Sequence, residues 1–188
     1  QQKQTVTEGR VRSLTTELRS ALGGSDYLPE SDDGYTLNPA LVVSDADVVE
    51  TELRRAESLP DAEAIPLMVA ALDLVDGSPM QIPQPRFWQW LELQPNATNR
   101  VEVIIADGFR NLIDRASRSG HLDAARWAAE RGTRATPGDA ALITEIAQFW
   151  RADGQAERAL RAVEAWESRM ATLGLVPGTE NPRAALAG

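Results

Sequence analysis

The chain offers few groups for covalent or metal chemistry. It has no cysteine and one histidine, His121, so thiolate catalysis, disulfides and cysteine-ligated metals are excluded. A lone imidazole acts as a base only beside a positioned nucleophile and an orienting carboxylate. No such partners can be placed for His121, which follows Gly120 at a turn and reads as a helix-start residue. The phosphate-cradling G-x-x-x-x-G-K-[ST] loop, the dinucleotide turn G-x-G-x-x-G and the zinc helix H-E-x-x-H do not occur. Asp45, Asp47 and Glu50 in "DADVVE" hint at calcium-loop spacing, but the further Asp/Asn and the Gly of such a loop are missing. A helix N-terminus with acidic first-turn residues explains them better. "NAT" at 96–98 matches a glycosylation sequon, yet Thr98 or Asn99 suits a helix cap. The expectation is a non-enzyme with no cofactor and no metal.

A second group of residues suits binding rather than catalysis. In "GRVRSLTTELRSALG", residues 9–23, the apolar positions Val11, Leu14, Leu18, Ala21 and Leu22 recur at steps of three and four. That is one face of a helix, stopped by Gly23-Gly24. With Val11, Leu14, Leu18 and Leu22 turned inward, the outward face carries Arg12, Ser13, Thr16 and Arg19. Such side chains bond phosphates and base edges, arginine being the commonest reader of guanine. An ordinary solvated helix face has the same composition, and both readings stay open.

The elements around this helix follow from local patterning. Tyr27-Leu28 and Tyr35-Thr36-Leu37 flank the turn cluster Pro29–Gly34, which predicts a small β-hairpin closed by Pro39. "SDADVVETELRRAESLP" opens with a Ser/Asp cap and predicts a helix to about Ser58. "DAEAIPLMVAALDLVDG" predicts another, with Pro66 tolerated in its first turn. "SPMQIPQPRFWQWLELQPN", with four prolines, Trp88 and Trp90, reads as a structured connector. Four helices follow: "ATNRVEVIIADGFRNLIDRASRSG", "HLDAARWAAERGTRATP", "GDAALITEIAQFWRADG" and "QAERALRAVEAWESRMATLG", then a loose tail from Pro177.

The last four helices contain a repeat. "SGHLDAARWAAE" aligns with "DGQAERALRAVE" at an offset of 34, pairing Gly120 with Gly154, Ala125 with Ala159 and Ala128 with Ala162. A helix–turn–helix period of 34 is that of tetratricopeptide repeats, and Pro137 falls where the first unit ends. Ala125 and Ala159 let paired helices approach closely, and Gly120 and Gly154 turn the chain. A generic alanine-rich bundle is the alternative. Two units rarely stand alone, so the helices of 45–76 are expected to complete the stack. Trp88, Trp90, Trp127, Trp150 and Trp166 are spaced as core or groove residues of such a stack.

At 188 residues with 43% hydrophobic content the chain can bury a core. No apolar run is long enough for a membrane span, and no signal peptide opens it. It begins at Gln1, in what reads as the middle of a fold, and so reads as a fragment of a longer polypeptide. One lysine against eighteen arginines points to a GC-rich genome. Of the net charge of −9, residues 1–23 carry +2, while 26–63 hold eleven Asp or Glu against Arg54 and Arg55. That acidic stretch opposes DNA binding beside it.

An amphipathic helix, a glycine and a hairpin ending in Gly-Tyr-x-Leu form the back half of a winged helix, whose last helix enters the DNA major groove. "VRSLTTELRSALG", "YLP", "GYTLNP" and "VSDADVVETELRRA", in this order, resemble the OmpR-type winged helix of the Streptomyces antibiotic regulatory protein family. "AALDLVDGSPM" resembles the opening of that family's bacterial transcriptional activator domain, and "FWQWLEL" sits at its tryptophan. "ERGTRATPGDAALITEIAQFWRADGQAERALRAVEAWESRMATLGLVPG" resembles its tetratricopeptide-like C-terminal half. A branch of the family with a similar "RGTRATP" helix end is joined to N-terminal membrane spans and a peptidoglycan-binding module.

The resemblance implies a mainly α chain in three parts. These are the C-terminal part of a winged helix at 1–43, a tetratricopeptide-like activator domain at 44–176 and a tail at 177–188. It implies a cytoplasmic bacterial transcriptional regulator. DNA contact would run through Arg12, Ser13, Thr16 and Arg19, and the helical repeats would hold a protein partner or a second copy, with no membrane contact. The alternative is an interaction module with a vestigial winged helix, belonging to a membrane-tethered parent.

Overall fold

A computed structural model describes residues 8–31, 34–79, 95–175 and 181–186. The chain is mainly α-helical and divides into two compact units, Gln1–Asp47 and Val48–Gly188. The expected connector with Trp88 and Trp90 lies largely outside the described residues.

The first unit holds α1 (Glu8–Leu22), a 3-10 turn (Ser25–Tyr27) and two short strands, β1 (Glu30–Ser31) and β2 (Gly34–Tyr35). The strands pair antiparallel, Glu30 opposite Tyr35 and Ser31 opposite Gly34. They lie inside the segment expected to be the turn. Asn38 N–H donates to the Tyr27 carbonyl at 2.9 Å in the same register, so the flanking Tyr27-Leu28 and Tyr35–Leu37 runs still face each other. Asn38 then closes the hairpin, its Nδ2 donating to the Asp26 carbonyl at 3.0 Å and its Oδ1 accepting from Ala40 N–H at 3.0 Å.

The second unit is built from α2 (Asp45–Glu57), whose first turn ends the first unit, α3 (Asp61–Leu72), α4 (Pro95–Arg118), α5 (Leu122–Ala135), α6 (Ala140–Ala152) and α7 (Ala156–Thr172). Caps account for several of these bounds. Ser44 Oγ accepts from Asp47 N–H at 3.1 Å while the Asp47 carboxylate faces back to Ser44, a reciprocal cap. Asp139 accepts from Leu142 N–H at 2.7 Å at the start of α6. Pro66 lies in the second turn of α3 rather than the first. With no N–H to give, it leaves the Ala62 carbonyl without a helical partner, and packing carries the helix on to Leu72. Thr98 and Asn99, expected as caps, lie within the first turn of α4.

One apolar cluster runs from Val49 to Ala185, with Phe109, Leu112, Leu142 and Ile146 fully buried. α6 is apolar on most sides because it packs against α4, α5 and α7. The segment Pro182–Leu186 adds a 3-10 helix, packed mainly on α6 and less on α7. α6 packs on α4 and less on α5 in the same way. Arg151 donates to the Ala185 carbonyl, and Arg183 forks onto Glu167 with both contacts at 2.6 Å. The tail expected to be loose is therefore docked over 182–186.

Two arginines tie the helix ends. Arg115 of α4 donates to the Ala56 and Leu59 carbonyls at 2.8 and 2.6 Å and to Asp61 at 2.7 Å. Arg131 of α5 donates to the Val75 and Asp73 carbonyls at 3.0 and 2.7 Å. Cations belong on carbonyls at or just after such helix C-termini.

Candidate functional site

On α1 the burial differs from the apolar stripe. Leu14 and Leu18 are 54% and 44% exposed, whereas Thr15 is buried at 7%. A helix end can bury a hydroxyl cheaply when the preceding turn accepts its proton, and Thr15 Oγ1 donates to the Val11 carbonyl at 2.9 Å. The inward assignment of Leu14 and Leu18 is thus corrected. Arg19 is half-buried, its Nε donating to the Leu28 carbonyl at 2.8 Å. That bond ties the helix to the hairpin and commits one edge of the guanidinium. Arg12, Ser13 and Thr16 are exposed. Ser13 faces Glu17 at 3.4 Å, and Thr16 Oγ1 donates to the Arg12 carbonyl at 2.9 Å.

The repeat positions coincide in detail. Gly120 and Gly154 have φ of +78° and +75°, a left-handed turn that favours glycine. His121 N–H donates to the Ala116 carbonyl at 2.8 Å, and Gln155 N–H to the Trp150 carbonyl at 2.7 Å. Gly120 N–H reaches Ser117 and Gly154 N–H reaches Arg151. Each pair of bonds forms a Schellman helix end, and each bond recurs 34 residues later. Ala125 and Ala159 are both fully buried. Gly132, for which the spacing gave no signal, is also closely packed. A Cβ there would lie 3.3 Å from Phe109 Cβ and Cγ and from Leu142 Cδ2.

The other polar candidates are engaged locally. His121 is exposed with Nδ1 3.1 Å from Ser119 Oγ. Asp47 serves the Ser44 cap, and Glu50 pairs with Arg54 and with Arg100. Among the described residues no cluster of three His, Asp or Glu is placed to hold a metal. No described helix is long and apolar enough to cross a membrane. Glu145, partly buried on α6, has its carboxyl raised above the usual range, chiefly by desolvation and then by nearby Asp114.

A further surface had no sequence signal, because three helices build it. An open groove of about 460 Å³ is lined by Glu130 and Arg134 of α5, Trp150 of α6, and Arg158 and Arg161 of α7. The Arg158 guanidinium lies 4.7 Å over the Trp150 ring and pairs with Glu130. Arg161 pairs with Glu157 one turn back at 2.7 Å. Arg134 makes no ion pair or hydrogen bond among the described residues. Trp150 is 3% exposed.

No family model matches the chain, and neither a curated protein nor a solved structure matches it.

Proposed function

We propose that the chain is a protein-interaction module of the tetratricopeptide-like type, the helical part of a bacterial transcriptional regulator. The observation that carries this reading is the recurrence, 34 residues apart, of the helix-ending hydrogen bonds at Gly120 and Gly154 with buried Ala125 and Ala159 in step. Repeats of this kind present continuous surfaces to other chains. Panning a random peptide library on the full chain tests it. Enriched peptides that bind in solution support the module, and no enrichment removes it.

A second reading adds DNA contact through α1 and the following hairpin, as the reader and wing of a winged helix in a cytoplasmic regulator. The exposure of Arg12, Ser13 and Thr16 on one helix followed by paired strands supports it. Arg19 serves there as a brace holding the hairpin. Mobility shifts of a duplex pool at two salt concentrations decide the matter. Arg12→Ala should weaken binding and lower the salt slope by about one unit if Arg12 meets a phosphate. Equal shifts for both proteins, or none, leave the interaction module alone, with its winged helix vestigial.

A further inference from the structure

We propose that the groove between α5 and α7 holds an extended acidic peptide segment of a partner protein, whose carboxylates dock on Arg134 and Arg161. This deepens the interaction-module reading and rests on it.

Charge is the first argument. The chain carries −9 overall, yet this groove is lined by three arginines and one glutamate. Glu130 is matched by Arg158, which leaves two cations in excess. Arg134 has no partner among the described residues. Arg161 has only Glu157, whose side chain is 81% exposed. A solvated pair one turn apart on a helix contributes little, so an incoming carboxylate can replace it at little cost.

The floor of the groove is the second argument. Trp150 is almost wholly buried, and its ring lies under the Arg158 guanidinium. Arg158 is held from two sides, by the indole face below and by Glu130. A guanidinium fixed in this way loses little freedom when a ligand arrives.

Shape and surroundings select the occupant. The groove is open along its length rather than closed, which suits an extended chain better than a small enclosed molecule. Glu130 lines it and Glu157 borders it. A duplex, with its dense row of phosphates, would meet those carboxylates and the net negative charge. A short segment with a few carboxylates need not.

The experiment follows fluorescence anisotropy of labelled N-acetyl-hexaglutamate with the full chain, at low and at moderate salt, with hexalysine as control. The expected result is binding of hexaglutamate that weakens with salt, and no binding of hexalysine. Arg134→Gln with Arg161→Gln should cost about tenfold or more, since two charge-assisted bonds are lost. Both side chains are exposed, so an unchanged melting curve will confirm that this variant is folded. Equal affinity for wild type and the double arginine variant, or no hexaglutamate binding at low salt, overturns the proposal. So does a double variant that loses duplex DNA instead of peptide. Enrichment of neutral or basic peptides by panning would sink the acidic groove while leaving the interaction module standing.

Discussion

Arg126 of α5 and Asp153, at the turn after α6, meet as a two-pronged pair. Arg126 Nε and Nη2 donate to Asp153 Oδ2 and Oδ1 at 2.9 and 2.8 Å. Gln155 Nε2 adds a third bond to the same carboxylate at 2.6 Å. The Asp153 side chain is only 6% exposed, so the pair ties one helical hairpin to the next where water competes little.

This pair has a pH signature. The hydrogen bond from Arg126, first among the causes, holds the Asp153 carboxyl below the usual carboxylate range. A carboxyl depressed in the folded state adds stability that is complete above its unfolded pKa and disappears as pH falls through the folded one. Asp153→Asn should therefore melt at a lower temperature at neutral pH, and the gap from wild type should close on acidification below about pH 4. Melting curves across that range check it, and a gap independent of pH would assign the effect to packing alone.

Overpacking tests the repeat. Ala125 and Ala159 are fully buried at equivalent positions. Ala159→Leu should cost about 1–3 kcal/mol, as added methylenes force neighbours off their rotamers. Urea denaturation measures it, and an unchanged midpoint would remove the close-packed assignment.

Gly132→Ala sets two effects against each other. Alanine gains about 1 kcal/mol over glycine in a helix interior. Here the new methyl would press on Phe109 Cβ and Cγ and Leu142 Cδ2, each at 3.3 Å, and both side chains are fully buried. Phe109 Cβ is fixed to the α4 backbone and cannot swing aside, so the net effect should be a loss of stability. A rise in melting temperature would show that α4 and α5 can part without strain.

At the start of α6, Asp139→Ala removes the acceptor of Leu142 N–H. Loss of such a cap costs about 0.5–2 kcal/mol. Asp139→Asn, which keeps an acceptor, should recover most of it.

Leu14→Gln with Leu18→Gln tests the corrected face of α1. Both leucines are exposed, so the double variant should stay within about 0.5 kcal/mol of wild type. A loss of several kcal/mol would restore the apolar stripe as the buried side.

Periodicity and glycine placement made the helices of the second unit legible, since α5, α6 and α7 each begin within two residues of their expected starts and end near a glycine or proline. The repeat was legible because glycine and alanine at fixed spacing report backbone constraints directly. The inner face of α1 was not. An apolar stripe names a face only where apolar packing decides the burial, and Thr15 and Arg19 satisfy their polar atoms on neighbouring carbonyls. The hairpin was placed correctly as a unit but its pairing lies closer to the tip, because turn-forming residues also pair when the register is short. The arginine groove left no linear trace. Arg134, Trp150 and Arg161 come from three helices, and only the packing of α5, α6 and α7 brings them together.

The docking of Pro182–Leu186 on α6 bears on how such a chain behaves in crowded solution. Stacked hairpins have leading and trailing faces that suit one another, so copies can add head to tail into open filaments. By laying a short stretch of its own backbone mainly on α6, with Pro182 and Ala185 buried and Arg183 clasping Glu167, the protein covers part of that helix with its own chain. Any other chain that sought the same strip of α6 would have to compete with an intramolecular contact, which enjoys a far higher effective concentration than a separate molecule.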